Sequence, residues 1–386
     1  MILHSLNAVR VIVEYVIVNF HVKNLGSENL FPGSYGSSNS LMSFFFVLSG
    51  FVAMHTTDGL DKTYIWRRLK KTYPFYLLMW LCDFPSVCYG NTQVSKCATQ
   101  SWIYTVLQPF CTQIFLMWKT DGSNIPGWYY SVLVYLWVAH SYIDLKHYVM
   151  KHPLKYMVLF YVISIMLSVP FFYFDRESVK QLPIFRILEF WMGASVAISV
   201  KNGYEIRGEI ALILFISYLV YASFTVTRWD LWGDNVQKDS CSFYQIDSEF
   251  KFKANGLNTV TSIIWATIIH WLACSETRGD NNIVMRMLRL DVFKSMAKFS
   301  LQLYLSHWVT TQYFHFLLEQ LGILNWFSKD IHMIWAYVSS YALYVFVQPL
   351  LDSLFTKKAE ESLKQTTHVY NALVPVCSFR LYEAGI

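Results

Sequence analysis

The chain has 386 residues, of which 54% are hydrophobic, 18% aromatic and 15% charged, and its mean hydropathy is +0.32. Soluble domains carry about 25% charged residues, so this composition argues against a water-soluble enzyme, a disordered chain and a secreted disulfide scaffold. The net charge of +5 is modest, and in a membrane protein the placement of basic residues says more than their sum. The seven cysteines form no CxxC pair, and HExxH, P-loop and GxGxxG patterns are absent. No metal and no nucleic-acid partner are expected.

Residues 1–9 lack the basic region of a signal peptide, and no small-residue cleavage site follows. The first apolar stretch is therefore expected to stay in the protein as a span. A spanning helix needs roughly 20 mostly apolar residues. Ten segments qualify: 6–24, 39–56, 72–90, 128–145, 154–173, 184–200, 208–226, 257–274, 298–319 and 331–355. Residues 102–118 are apolar but short, and Gln108-Pro109 interrupts them. That stretch could cross, re-enter or lie along the surface.

Charge bias arbitrates. The run Arg67-Arg68-Leu69-Lys70-Lys71 is the strongest basic cluster, so it reads as a cytoplasmic loop. If 102–118 does not cross, the loops with Lys146/Lys151/Lys155, Lys201/Arg207 and Arg278/Arg286/Arg289/Lys294 also fall inside. The expectation is an all-α, polytopic integral membrane protein with about ten transmembrane helices and both termini cytoplasmic. Residues 1–355 form the membrane domain and 356–386 a weakly ordered cytoplasmic tail. Cys88 and Cys97 then face outward, where they either pair or stay free thiols.

Charges inside spans are costly and usually functional. The first span carries Arg10, Glu14 and His21 at i, i+4 and i+11, on one helix face with Ile17. Arg10 is expected to pair with Glu14. His21 lies about 16 Å further outward than Arg10. This face offers an anion-binding charge at one end and a titratable base at the other; the plain alternative is an interfacial His and a snorkelling Arg. In the second span, Ser49-Gly50 lets a helix or ligand approach the backbone closely. The basic run leads into Tyr73-Pro74, with Pro expected at the start of the third span. Its four cations either hold phosphates or anchor the topology.

Five segments follow one another along the chain: Arg10-x10-His21, Phe45-Phe46-Val47-Leu48-Ser49-Gly50-Phe51, Arg67-Arg68-Leu69-Lys70-Lys71-Thr72-Tyr73-Pro74, Arg186-x-x-Glu189-Phe190-x-x-Gly193 and Ser300-x-x-x-Tyr304-Leu305-x-His307. Taken in this order, they resemble the membrane acyltransferase-3 family of O-acyltransferases. The resemblance implies an enzyme that moves an acyl group, expected to be acetyl, from acyl-CoA to a hydroxyl of a carbohydrate, lipid-linked glycan or other small acceptor. It implies His21 as base or nucleophile, with Arg10, Glu189 and His307 as further catalytic candidates. Arg67, Arg68, Lys70, Lys71 and Arg10 are the expected donor-binding residues. Direct transfer and an acyl-His intermediate both remain open. His307 also reads as a hydrogen-bonded core histidine, and His270 as structural.

Two departures stand out. Where the family commonly has Trp-Ser-Leu-Ser-Val-Glu, this chain has Trp128-Tyr129-Tyr130-Ser131-Val132-Leu133, without the carboxylate. Glu189 is the expected substitute. Glu14 stands where relatives usually carry an apolar residue. The competing class is a proton-coupled transporter or a non-catalytic acyltransferase-like membrane protein.

Overall fold

The computed structural model describes residues 3–23, 38–57, 61–89, 102–115, 126–174, 182–218, 257–323 and 329–355. Every regular element among them is helical, so the fold is all-α. The chain opens with α1 (His4–Lys23), α2 (Ser38–Thr56) and α3 (Tyr64–Tyr89). The short α4 (Trp102–Leu107) is followed by two 3₁₀ turns, Gln108–Phe110 and Gln113–Phe115. Next come α5 (Gly127–Tyr142), α6 (Leu145–Val149), α7 (Pro153–Phe174), α8 (Pro183–Lys201) and α9 (Gly208–Tyr218). The last part holds α10 (Leu257–Arg278), α11 (Ile283–Leu288), α12 (Asp291–Ala297) and α13 (Ser300–Gln320). Finally α14 (Lys329–Ala342) continues through a π turn, Leu343–Val347, as far as Phe355.

Each of the ten segments predicted from hydropathy is largely helical where it is described, with 143–144 and 298–299 outside the helices. Among the described residues, two helices, Pro183–Lys201 and Ile331–Phe355, are long and apolar enough to cross a membrane by length and composition. The first is 72% buried over its apolar window and the second 17%, so α8 is central and α14 peripheral. The Cys88–Cys97 pairing and the 356–386 tail lie outside the described residues.

The centre is the crossing of α2 and α8. A Cβ on Gly50 would sit 1.8 Å from the Phe190 carbonyl oxygen, and one on Gly193 would sit 1.8 Å from that of Val47. Backbone therefore lies on backbone, which only glycine permits at both points. One end of the contact is fixed by Ser43, whose hydroxyl donates to Glu189 Oε1 at 2.9 Å. Arg186 donates to both Glu189 oxygens at 2.9 and 3.0 Å, and its guanidinium lies 5.2 Å over the Phe46 ring. At the other end Lys201 Nζ donates to the carbonyls of Met54 and Thr57, at 3.0 and 3.2 Å. It thereby satisfies acceptors that a helix C-terminus leaves unpaired. The order of these contacts makes α2 and α8 parallel.

Similar pairs orient the other helices. Ser49 meets Tyr129 and Thr57 meets His140, so α2 and α5 run parallel. Tyr64 packs on His140 and Thr72 bonds Tyr130, so α3 opposes α5. The α13 and α14 helices are antiparallel through Gln302–Gln348, Ser306–Ser340 and His315–His332.

Two expectations need correction. Arg67–Lys71 is not a loop, because α3 begins at Tyr64 and carries the whole run. Asp61 starts that helix by accepting from the Thr63 backbone N–H at 2.9 Å and from its hydroxyl at 2.7 Å. Arg, Leu and Lys are good helix formers. Pro74 therefore falls inside the helix rather than at its start, with buried Phe75 and Tyr76 beside it. The described part of 102–118 does not form one long helix. Its carbonyls at Thr105, Gln108 and Pro109 accept from Trp80, Tyr76 and Tyr73 respectively, at 2.8 to 2.9 Å. The segment thus runs back along one face of α3. It then turns at Cys111, whose backbone is left-handed (φ 58°).

Gly193→Ala should shift helix against helix. Overpacking typically costs about 1–3 kcal/mol, and here the obstacle is backbone, so the loss should reach at least the upper end. A thermal-unfolding assay of the detergent-purified variant checks this, with Gly208→Ala compared as a glycine whose added Cβ meets the Trp271 side chain rather than backbone.

Candidate functional site

The first helix is set in place by its ends. The backbone N–H groups of His4 and Ser5 donate to the two oxygens of Glu276, at 2.8 and 2.9 Å. This carboxylate, from the last turn of α10, serves the open donors and positive dipole end of α1. Further along, Arg10 Nη2 donates to the Ala297 carbonyl at 2.7 Å. The pairing expected between Arg10 and Glu14 is not found as a contact. Arg10 reaches Ala297 instead, and the two charges interact only at longer range. Glu14 is buried, at 1% exposure.

These anchors lay α1 parallel to α13, with Arg10 beside Ala297 and His21 beside His307. His307 Nδ1 lies 3.0 Å from the Leu303 carbonyl one turn back. A carbonyl only accepts, so this nitrogen carries the hydrogen. His307 Nε2 then presents a lone pair and meets His21 Nδ1 at 2.8 Å. With both rings neutral, His21 Nδ1 is the donor and its basic lone pair sits on Nε2. The rings are near-parallel, at 7°, with centroids 5.0 Å apart. Trp308 stands edge-on to His21 at 6.0 Å. Leu303 thus fixes His307, and His307 fixes the tautomer of His21, a chain of the kind that orients a catalytic base.

The remaining candidates divide. Glu189 is fully buried, and its oxygens are engaged by Arg186 and Ser43; no hydrogen bond joins it to either histidine. Leu133, where the carboxylate of the middle-helix pattern is missing, sits in the apolar core. His270 bonds Ser199 at 2.9 Å between α8 and α10. Of the basic run, Arg67, Lys70 and Lys71 are exposed. Arg67 pairs with Asp61 at 2.5 Å. The Thr63 hydroxyl, then Arg67, hold the Asp61 carboxyl below its ordinary range. Arg68 alone is partly buried. Its Nε donates to the Tyr64 hydroxyl at 3.0 Å, and its charge is felt at Arg10. Arg10 and Arg68 thus form one basic region, with His21 and His307 about three helical turns away along α1.

Sequence reading missed Trp308 and Tyr129. Trp308 directly follows a candidate histidine, which was a usable signal. Tyr129, within 3.3 Å of Ser49 and between Phe45 and Tyr304, lies in the altered middle-helix pattern. Its partners only appear once α2, α5 and α13 are packed.

Comparison with known proteins adds one finding. Residues 3–351 match the family model described as Acyltransferase domain, the acyltransferase-3 family. The chain belongs to this family. No curated protein and no solved structure matches it. The match covers nearly the whole chain, so the histidine pair and the basic region belong to a membrane acyltransferase.

The tautomer chain gives a direct test. In ¹⁵N-histidine-labelled protein at neutral pH, His307 should carry its hydrogen on Nδ1, and so should His21. An Nε2–H form of His21 would reverse which of its nitrogens is basic.

Proposed function

We propose that this protein is an integral membrane acyltransferase that moves an acyl group, acetyl in the simplest case, from cytoplasmic acyl-CoA to a hydroxyl of a glycan or other small acceptor. The observation that carries this reading is the Leu303–His307–His21 chain in a member of an acyltransferase family. In this mechanism the acceptor hydroxyl gives its proton to His21 Nε2 as its oxygen attacks the thioester carbonyl. The C–S bond then breaks, and the leaving thiolate takes the proton back from His21. His307 accepts the Nδ1–H throughout and steadies the charged ring. The same lone pair also serves a two-step route, in which His21 is acylated before the acceptor attacks. In that route the thiolate leaves first; the acceptor hydroxyl then attacks the acyl carbon on His21, its proton passes to the thiolate, and His21 is released neutral.

The donor enters beside Arg68 and Arg10. Arg68 faces inward, whereas Arg67 is already matched by Asp61. Arg68 therefore takes the main share of phosphate binding, Arg10 meets the donor deeper along its length, and Lys70 and Lys71 supply a diffuse positive field. In this reading ten helices cross the bilayer, with both termini in the cytoplasm and 102–118 re-entrant. Its support is the opposed direction of α3 and α5, although 102–115 lies between them. One more crossing there would make the two parallel.

His21→Gln should lower acyl transfer by about 10²–10⁴-fold, the usual worth of a positioned base, while acyl-CoA binding stays near normal. Release of free CoA thiol by protein in nanodiscs reads the first quantity and calorimetry the second. Wild-type rates in His21→Gln would end the assignment of His21 as base and move it to His307.

Donor affinity separates the arginines. Arg68→Gln should weaken acyl-CoA binding more than Arg67→Gln, and the difference should shrink as salt rises. Equal, small effects would make the run a topology anchor.

A further inference from the structure

The most exacting place in the fold is halfway along α1. Glu14 Oε1 is buried with no hydrogen-bond partner among the described residues, and the same holds for Arg10 Nε and the Tyr337 hydroxyl. Glu14 interacts electrostatically with both Arg10 and Tyr337. Tyr337 of α14 comes to the level of Glu14 because its ring packs 6.4 Å from that of Tyr15. The carboxylate is otherwise hydrogen-bonded to the Ser300 side chain and the Tyr304 backbone, so the open site is Oε1 alone. A buried polar atom left unpaired is costly to the fold. A structural carboxylate would be matched by its neighbouring arginine, but Arg10 Nη2 reaches the Ala297 carbonyl instead. An apolar residue at position 14 would avoid the cost altogether. What remains is one acceptor, one N–H donor and one hydroxyl that can do either. This set suits secondary amides, each with one N–H and one C=O.

We propose that Glu14, Tyr337 and Arg10 grip the amide linkages of the donor's pantetheine arm, so that the enzyme reads the arm as well as the phosphates. The inference rests on the acyl-CoA reading above. Distance along the helix supports it. Glu14 is seven residues from His21, about 10 Å toward the Arg10 end. With the thioester at His21, the two amide nitrogens of the arm follow the sulfur by about 4 and 9 Å of extended chain, from ordinary bond lengths. The second amide therefore comes to the level of Glu14, the first lies between Glu14 and His21, and the phosphates lie beyond, toward Arg68. Glu14 Oε1 accepts an amide N–H, and the Tyr337 hydroxyl and Arg10 Nε donate to amide carbonyls.

The test uses full-length protein in nanodiscs and four acetyl donors: acetyl-CoA, acetyl-pantetheine, S-acetyl-N-acetylcysteamine with one amide, and S-ethyl thioacetate with none. In Glu14→Leu, the preference for acetyl-pantetheine over S-ethyl thioacetate, as a ratio of kcat/KM, should fall about tenfold. Glu14→Gln keeps an acceptor oxygen and should restore most of it. Tyr337→Phe, which removes only the hydroxyl, should lower the same ratio two- to fivefold and covers the case in which Glu14→Leu does not fold. Calorimetric binding of pantetheine should weaken in parallel, independently of turnover. An unchanged ratio in folded Glu14→Leu and Tyr337→Phe would overturn the proposal and leave the acyl-CoA reading standing. Failure of wild-type protein to bind acetyl-CoA would remove that reading and this inference with it.

Discussion

The close crossing of α2 and α8 is the constraint on which the other helices depend. Two glycines, each against the carbonyl of the opposite helix, bring the backbones nearer than any side chain would allow. At such a distance the outer contacts have little freedom. Ser43 must meet Glu189, Arg186 must lie over Phe46, and Lys201 must reach the last carbonyls of α2. The Arg186–Gly193 segment and the Ser43–Gly50 segment are thus complementary surfaces with the same helical spacing. The Arg186–Glu189 pair is buried among bonded partners, which is the condition under which a buried ion pair is tolerated.

The histidine pair stands on a second, more polar arrangement. A carboxylate at the start of α1, an arginine one and a half turns on and a histidine near its end each meet a different part of the chain. Together they hold α1 in register with α13. Register matters because the His21 tautomer is decided two hydrogen bonds away, by the Leu303 carbonyl. A shift of one residue along either helix would turn the rings apart by about 100° and break the chain.

Much of this could be read from the residues. Hydropathy located the helices, and the order of short patterns located both histidines, the basic run and the close-approach glycine at position 50. What it could not give was partnership. Glu189 looked like a stand-in for the missing middle-helix carboxylate, because depth along a helix was the only coordinate available. Packing shows Glu189 committed to Arg186 and Ser43. Arg10 and Glu14, one turn apart, looked like a pair for the same reason; tertiary packing offers Arg10 a backbone carbonyl instead. The basic run was read as a loop because charge marks the edge of an apolar span, and helix propensity does not stop at that edge. Arg67 and Arg68 looked equivalent in one dimension and differ only once Asp61 and Tyr64 are in place.

The segment that runs back along α3 gives the aromatic content a second meaning. Non-helical backbone leaves polar groups that lipid cannot satisfy, so it persists at depth only where protein answers them. Here Tyr73, Tyr76 and Trp80, on one face of α3, each donate to a carbonyl of that segment. Two of the three are tyrosines held by a single hydroxyl. Replacing tyrosine by phenylalanine is nearly neutral on a lipid-facing surface, but at Tyr73 it would strand the Pro109 carbonyl, whereas the Gln108 carbonyl above Tyr76 would keep the Cys111 backbone N–H. Aromatic side chains that pass by composition for a membrane belt here take the part of a neighbouring strand, supplying the hydrogen bonds that an irregular backbone cannot make for itself.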